Sequence, residues 1–293
     1  MARFTLEQAA RFFFTLVGAL LMAVLVAGLP HDGPWRGWGP LVSTLVEKFF
    51  AFIKFDFGSS AISGGPATAE LSARLPVTLF LASTGFVVAL IIGAPLGILL
   101  GATPVRRAAA PLIQIVAAAP VFCAGLALAF GAVHLLGWPV SINTPMGFPQ
   151  LADVHAFELL LPPILTVGLA GAAAVQLALR RAAREASDES YQKGLRRLGL
   201  SALEIDLVYV APQIAAGLLS SLGEIALALL SATAVAEWVF NAPGAAVLFV
   251  KSAALYDWTM LALVLLVFVT IVQTAHFIGR VAAHALYEQR HGA

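Results

Sequence analysis

Long apolar runs divide this chain into helical segments. Uncharged runs occupy residues 12–29, 75–105, 108–152 and 159–179, a fifth at 207–236 is interrupted only by Glu224, and 258–279 forms a sixth. About 20 apolar residues are needed to cross the hydrocarbon of a bilayer, and a helix satisfies its own backbone hydrogen bonds there. The third run exceeds one span and is divided by the turn-rich residues 137–150. The pattern therefore predicts an all-α integral membrane protein with about six transmembrane helices.

The region between the first two runs predicts a helix of another kind. Apolar residues recur at helical spacing over 41–53, beside Glu47, Lys48 and Lys54. This pattern is typical of an amphipathic helix at the membrane surface. The first run, 12–29, also has features of a cleaved signal peptide, but it is longer than the usual 7–15-residue apolar core of such a peptide. We therefore expect it to remain as the first transmembrane helix.

Composition agrees with a membrane protein and excludes some functions. Hydrophobic residues make up 60% of the 293 positions and charged residues 11%, against about 25% charged in soluble domains. The mean hydropathy is +0.91. A net charge of +1 argues against a nucleic-acid partner, because neutralising phosphates needs a clustered positive excess. The single cysteine, Cys123, lies in an apolar run and has no partner within the chain for a disulfide.

Lysine and arginine predict the orientation, because short cytoplasmic loops retain positive charge. With the N-terminus inside, twelve basic residues face the cytoplasm: Arg3, Arg11, Arg106, Arg107, Arg180, Arg181, Arg184, Lys193, Arg196, Arg197, Arg280 and Arg290. Five lie on the other side: Arg36, Lys48, Lys54, Arg74 and Lys251. We therefore expect a multi-pass protein of a bacterial inner membrane with both termini in the cytoplasm.

Motifs for enzymatic chemistry are missing from the sequence. A phosphate-binding loop needs lysine directly after glycine, and the four lysines follow Glu, Ile, Gln and Val. The six histidines are scattered, and neither His-Glu-x-x-His nor Gly-x-Ser-x-Gly occurs. We therefore expect no catalytic residue, metal site or cofactor in this chain, and energy for any transport must come from a partner.

An ordered set of short motifs resembles one family of membrane proteins. The set consists of Phe55–Ser60 (FDFGSS), Arg74–Leu79 (RLPVTL), Gly93–Gly97 (GAPLG), Tyr191, Gly199–Ser201 (GLS), Pro212, Glu237–Gly244 (EWVFNAPG) and Asp257. In order and spacing it resembles the permeases of dipeptide/oligopeptide ABC importers, of the B-type subunit. The resemblance covers most of residues 55–260. It implies the type I ABC importer permease architecture.

The resemblance also implies a domain organisation and a set of partners. Residues 1–73 would hold the first transmembrane helix and an amphipathic segment, 74–284 the ABC type-1 permease domain, and 285–293 a cytoplasmic tail. The implied assembly contains a second homologous permease, two ABC ATPase subunits that carry ATP and Mg²⁺, and a periplasmic or lipid-anchored substrate-binding protein. The lipid bilayer is the remaining partner.

The cytoplasmic coupling loop of that family corresponds to residues 185–212, which we call the coupling segment. Its expected ATPase-docking residues are Tyr191, Lys193, Gly194, Leu195, Arg196, Arg197, Gly199, Leu200, Ser201 and Pro212. Gly199 allows a sharp turn without a Cβ penalty, and Pro212 begins or kinks the following helix. The basic residues Lys193, Arg196 and Arg197 either pair with acidic groups of the ATPase or only follow the positive-inside rule.

Other residues are candidates for the translocation path and for the outer loop. A carboxylate inside an apolar run is expensive, so Glu224 is expected to face the path or to pair with another helix. The candidate path residues are Glu224, Ser220, Ser221 and Ser231. The family's periplasmic loop motif corresponds to Glu237, Phe240, Pro243, Gly244 and Asp257.

The function predicted from the sequence is half of a translocation pathway for peptides or a related small solute delivered by a binding protein. Nickel chelates and other solutes enter through related ABC systems, so the substrate stays open. An ion-coupled secondary carrier that uses Glu224 is the alternative from another class, and it would be expected to carry inverted repeats. No internal repeat is visible in the sequence. A membrane scaffold without transport activity would explain the helices but not the coupling segment.

Overall fold

The computed structural model of this chain describes residues 2–28, 38–61, 63–102, 120–142, 154–186, 197, 199, 201 and 204–291. The first five helices are α1 (Ala2–Ala27), α2 (Trp38–Ile53), α3 (Ala67–Ala102), α4 (Val121–Leu136) and α5 (Val154–Ala186). A π-helical turn at Ile205–Val210 leads into α6 (Ala211–Ser220), followed by α7 (Leu222–Val239), α8 (Ala245–Ala254) and α9 (Trp258–His291). Within the described ranges every regular element is a helix. The all-α prediction is therefore confirmed.

Five helices are long and apolar enough to cross a membrane, namely α1, α3, α5, α7 and α9. They confirm spans predicted in five of the six apolar runs. The described part of the third run is α4, whose 16 residues extend about 24 Å at 1.5 Å per residue. Residues 108–119 and 143–152 of that run lie outside the described residues. The residues 41–53, predicted to be helical, lie within α2, and their place at the membrane surface stays a prediction.

The fifth apolar run is broken in the structure, so the prediction of one continuous helix over 207–236 is wrong. α6 ends and α7 begins at Ser221, whose hydroxyl donates to the Gly217 carbonyl at 3.0 Å. Two glycines flank the break and lie against neighbouring helices. A Cβ on Gly217 would overlap Ala182 of α5, and a Cβ on Gly223 would overlap His276 of α9. Gly and Ser are common at kinks, and here they let the chain approach two helices at once.

Close glycine contacts also join α3 to α5, the most extensive helix pair of the bundle. A Cβ on Gly93 would lie 2.6 Å from the Ala172 carbonyl oxygen, and a Cβ on Gly168 would overlap Val88. Small residues at such positions allow two membrane helices to approach closely and gain packing energy. With α7, this pair forms a core whose fully buried members include Leu81 and Val167.

α1 packs against α9, and this contact places both ends of the chain together. The rings of Phe4 and His284 stack with centroids 3.8 Å apart, and those of Phe12 and Phe277 lie 5.4 Å apart. α1 and α9 therefore run antiparallel, and the chain begins and ends on the same side of the bundle. We call this side the terminal end.

Candidate functional site

The coupling segment connects the terminal end of α5 to α6. Of its expected docking residues, Arg197, Gly199, Ser201 and Pro212 are described by the structure. Tyr191, Lys193, Gly194, Leu195, Arg196 and Leu200 lie outside the described residues. Gly199 has a φ of +85°, a left-handed conformation that favours glycine, and no atom lies within 4 Å of the position that a Cβ would take. The turn predicted at Gly199 is therefore present, and its requirement for glycine comes from the backbone angle.

Ser201 and Glu204 cap the helical stretch that leads to α6. One carboxylate oxygen of Glu204 accepts from the Ser201 backbone N–H at 2.8 Å and from the Ser201 hydroxyl at 2.7 Å. The Glu204 N–H donates back to the Ser201 hydroxyl oxygen at 3.3 Å. The backbone hydrogen bond from Ser201, followed by that from its hydroxyl, holds the pKa of Glu204 below its usual value. This is a capping box. Glu204 was not predicted from the sequence, although the Ser-x-x-Glu spacing indicates a capping box.

Pro212 occupies the first turn of α6, directly after the π-helical turn Ile205–Val210. Proline has no N–H to donate to the preceding turn, and the first turn of a helix is where that loss costs least. π-helical turns inside α-helices are frequent at functional sites. The chain thus leaves the capping box through an irregular turn before it enters the bundle.

A mostly apolar cavity of about 480 Å³ lies between α3, α4, α5 and α7, a volume that suits a small solute. Its polar lining comes from Thr166, Gln176 and Ser231, and the rest is mainly Ala, Val, Leu and Ile. The Thr166 hydroxyl donates to the Pro162 carbonyl of its own helix at 2.9 Å, which leaves Gln176 and Ser231 as the principal polar groups. None of the described lining residues is charged.

Glu224 lies beside the terminal end of this cavity and pairs with a neighbouring helix. It stands in the first turn of α7, one turn before the lining residue Ala228, so it is not in the middle of a span. Its Oε2 accepts from Arg181 Nη1 of α5 at 3.4 Å. The two side chains are 67% and 56% exposed within this chain, respectively. Hydropathy does not reveal that Glu224 lies in the first turn of a helix, because the apolar run 207–236 gives no sign of the break between α6 and α7.

The three candidate serines have different surroundings. Ser220 and Ser221 both donate to the Gly217 carbonyl, at 2.9 and 3.0 Å, beside the break between α6 and α7. Ser231 is exposed and lines the cavity. The structure therefore brings Ser231 to the cavity and places Glu224 beyond it, while Ser220 and Ser221 belong to the helix break.

At the opposite end, Glu237 is fully buried and joins α3, α7 and α8. Its Oε1 accepts from the Thr78 hydroxyl at 2.6 Å, and its Oε2 accepts from the Val247 N–H at 2.8 Å. The Thr78 oxygen in turn accepts from the Ala245 N–H at 2.8 Å. A Cβ on Gly244 would overlap the Glu237 carboxylate, so only glycine fits there. These bonds satisfy N–H groups of the first turn of α8 that no helical carbonyl can reach.

Asp257 is the second fully buried carboxylate of this end. Its Oδ2 accepts from the Ser60 hydroxyl and the Ala61 N–H, both at 2.7 Å, and its Oδ1 accepts from the Met260 N–H at 3.0 Å. It thereby caps α9 and ties the loop before α3 to that helix. Phe240 is fully buried near it in sequence, and Pro243 is half-buried.

These two clusters explain why the outer motif uses carboxylates. Each carboxylate accepts hydrogen bonds from a hydroxyl and from backbone N–H groups, and each is closed to solvent. The partners Thr78 and Ser60 belong to the motifs RLPVTL and FDFGSS, whose role is not evident from the sequence alone. No group of three or more His, Cys, Asp or Glu side chains is placed to hold a metal ion within the described residues.

A family profile covers most of this helical bundle. The profile described as "Binding-protein-dependent transport system inner membrane component" matches residues 85–286. The chain is 28% identical over 260 residues to the putrescine export system permease protein SapB of Escherichia coli K12 and to the peptide transport system permease protein SapB of Escherichia coli O157:H7. Each match covers 80% of this chain and 78% of the relative. The peptide transport system permease protein SapB of Salmonella typhimurium is 27% identical over 270 residues, with 83% and 82% covered.

Proposed function

The chain belongs to the family of binding-protein-dependent transport system inner membrane components, and on that premise we propose that it conducts peptides as one permease subunit of an ATP-driven importer. The resemblance noted in the sequence is thus confirmed at the level of the family, the type I permease fold and the permease function. Such a subunit is a membrane component and not itself catalytic. The observation that carries the substrate proposal is the cavity between α3, α4, α5 and α7, whose described lining carries no charge.

The chemistry of the cavity favours peptides over a polyamine. Relatives of this chain are named for peptide transport and for putrescine export, so the two substrate classes need to be separated. Putrescine is a dication, and desolvating it calls for carboxylates or aromatic faces along the path. The described lining offers amide and hydroxyl groups with aliphatic walls, which suit the backbone and apolar side chains of a short peptide.

The position of Glu224 beside the same cavity supports a gating role for it. Its pair with Arg181 lies beyond the terminal end of the cavity and joins α5 to α7, two of the helices that line it. An ion pair at that place stabilises one arrangement of the two helices without contacting the substrate inside the cavity. We therefore assign Glu224 to the passage at this end. If the protein were instead an ion-coupled secondary carrier, Glu224 would be the group that binds the coupling ion.

The partner proposals rest on the coupling segment. The segment begins at the end of α5, turns at Gly199 and is capped by Ser201 and Glu204 before it enters α6. A capped and sharply turned segment between two bundle helices is suited to carry force from a soluble subunit to both helices. We assign it to the contact with one ATPase subunit of an assembly that holds two, with the second permease completing the pathway and a binding protein delivering the substrate at the other side. Both termini then face the cytoplasm.

Transport by the reconstituted assembly tests the proposal. The chain is placed in proteoliposomes with its partner permease, ATPases and binding protein, and uptake of a labelled hydrophobic tripeptide and of labelled putrescine is compared with and without ATP. We expect ATP-dependent tripeptide uptake. Gln176→Leu should lower the uptake about 2- to 10-fold, since one hydrogen bond to the peptide is worth ~0.5–1.5 kcal/mol. Gln213→Leu is the matched control, because Gln213 is exposed on α6 and does not line the cavity.

Other outcomes would redirect the proposal. Putrescine movement without tripeptide movement refutes the peptide substrate. Uptake that follows an imposed proton or sodium gradient and ignores ATP favours the ion-coupled carrier. Equal effects of the two glutamine substitutions remove the cavity from the path.

Crosslinking tests the ATPase contact separately. Cys123 is free and exposed, so it is first replaced by Ala, and single cysteines are then introduced at Arg197 and Ser201. We expect both to crosslink to the ATPase subunit. A cysteine at Ser63, in the loop before α3, is the control for the other side of the membrane. Crosslinking from Ser63 and not from the coupling segment would overturn both the docking assignment and the orientation.

A further inference from the structure

Two polar stripes face each other across the contact between α1 and α9. On α1 the stripe is Gln8, Arg11 and Thr15, and on α9 it is Gln273, His276 and Arg280. Each stripe has the spacing i, i+3, i+7, which places its members on one face of a helix. The six side chains line one cavity of about 390 Å³, which we call the α1–α9 cleft. It is separate from the apolar cavity between α3, α4, α5 and α7, and transport of a peptide gives it no role.

The described lining of the cleft has an excess of positive charge. Arg11 and Arg280 both line it, and no acidic side chain belongs to its described lining. Two described acidic groups near this end pair with arginines outside the cleft, Glu7 with Arg3 at 3.5 Å and Glu224 with Arg181 at 3.4 Å. Glu224 also attracts His276 of the cleft electrostatically. Two guanidinium groups that line one cavity between membrane helices repel each other, and an anion between them offsets that cost.

The depth of the cleft identifies the level of the bilayer that it faces. Trp258 begins α9 at the opposite end, and Arg280 lies 22 residues later, about 33 Å along the axis at 1.5 Å per residue. The hydrocarbon core of a bilayer is about 30 Å thick, so Arg280 reaches the headgroup level at the terminal end. Aromatic walls at Phe12, Phe14 and Phe277 adjoin the polar stripes, and they supply apolar contact for acyl chains.

We propose that the α1–α9 cleft binds a phosphate group, supplied by the headgroup of an anionic phospholipid. Arg11 and Arg280 donate hydrogen bonds to the phosphate oxygens, because the fork of guanidinium N–H groups matches the geometry of a phosphate. Gln8, Gln273 and His276 add neutral hydrogen-bonding groups, and the phenylalanines hold the start of the chains. Bound there, the lipid joins the first and last helices of the chain. Basic pockets between membrane helices are known to take acidic headgroups.

Native mass spectrometry of the purified full chain in detergent tests the proposal, with added phosphatidylglycerol, phosphatidylcholine or inorganic phosphate as probes. We expect phosphatidylglycerol to bind more tightly than phosphatidylcholine. Arg11→Gln and Arg280→Gln should each weaken phosphatidylglycerol about fivefold, as expected for one cation at the membrane surface. Arg3→Gln is the matched control, because Arg3 is 95% exposed, pairs with Glu7 and does not line the cleft.

Each other result counts against the proposal. Displacement of phosphatidylglycerol by inorganic phosphate at equal concentration would assign the site to the free ion. Equal weakening by Arg3→Gln would reduce it to general surface charge, and equal binding of phosphatidylcholine would remove the role of the anion. If the glutamine variants do not fold, a photoactivatable phosphatidylglycerol is crosslinked to the native chain. Labelling must then fall on α1 and α9 near the cleft, and labelling elsewhere refutes the site.

Discussion

Replacing Thr78 by Val should destabilise the protein much more than the same change at another buried threonine. The Thr78 hydroxyl makes two bonds across elements, donating to Glu237 at 2.6 Å and accepting from the Ala245 N–H at 2.8 Å. Valine has nearly the same shape, so packing is preserved and both partners are left in a site closed to solvent. Thr233 is equally buried, but its hydroxyl donates only to the Leu229 carbonyl of its own helix at 2.8 Å.

The magnitude follows from counting the groups that lose a partner. A buried group left unsatisfied costs ~1–3 kcal/mol, and Thr78→Val leaves two of them, the Glu237 oxygen and the Ala245 N–H. Interhelical hydrogen bonds in membranes average only ~0.6 kcal/mol, because the freed groups find other partners. The Ala245 N–H has no such alternative, since it opens α8 and no helical carbonyl precedes it. We therefore expect a loss of about 2–4 kcal/mol for Thr78→Val and less than ~1 kcal/mol for Thr233→Val.

Equilibrium unfolding in mixed micelles of increasing denaturing detergent measures both values. The five tryptophans give the fluorescence signal. The two variants and the parent chain are compared at the same protein-to-detergent ratio. A difference of less than about 0.5 kcal/mol between the two variants would refute the reasoning, because it would mean that the hydroxyl network of Glu237 adds nothing beyond an ordinary intrahelical bond.

Three further predictions concern the other sites. Asp257→Asn puts an amide donor among three donating groups and should lower the free energy of unfolding by about 2–3 kcal/mol, whereas Asp56→Asn, whose exposed carboxylate accepts from one backbone N–H, should cost less than ~1 kcal/mol in the same assay. Gly199→Val should leave membrane insertion intact, strain the turn by roughly 1–2 kcal/mol and raise the number of ATP molecules hydrolysed per peptide imported. Gly199→Asn should raise that number less, and an equal number for the parent chain and both variants contradicts the role of the turn. Glu224→Gln should impair uptake while the protein's abundance stays near normal, because an exposed ion pair contributes only ~0.2–1 kcal/mol to stability. If Glu224 and Arg181 act as a unit, adding Arg181→Gln to that variant should impair uptake no further. Wild-type uptake by Glu224→Gln would exclude the pair from the passage.

Much of the fold could be predicted from the sequence, because the local hydropathy of a segment is enough to predict a membrane helix. A run such as 75–105 must be helical in hydrocarbon whatever its neighbours are, since no water is present to satisfy its backbone. The family could also be read, because its motifs keep their order and spacing along the chain. The capping box of Ser201 and Glu204 belongs to the same local class and was open to prediction.

The surroundings of single polar residues depended on the tertiary structure. From the sequence, Glu224 resembles an isolated charge in mid-span, because the run 207–236 gives no sign of the break at Ser221. Gly217 and Gly223 flank that break and lie against α5 and α9, contacts that only the fold establishes. Most of the docking residues predicted in the coupling segment lie outside the described part of the chain, so their roles stay predictions.

Hydropathy and motif order were enough to predict a helical membrane permease, whereas the contacts between polar groups depend on how the helices pack. Hydropathy and motif order are properties of neighbouring residues, so they survive without coordinates. The partners of Glu237 and Asp257 lie 159 and 197 positions away in sequence, at Thr78 and Ser60. A hydrogen bond is decided by distance and angle at the atoms, and only the packing of α3, α7, α8 and α9 brings those atoms together.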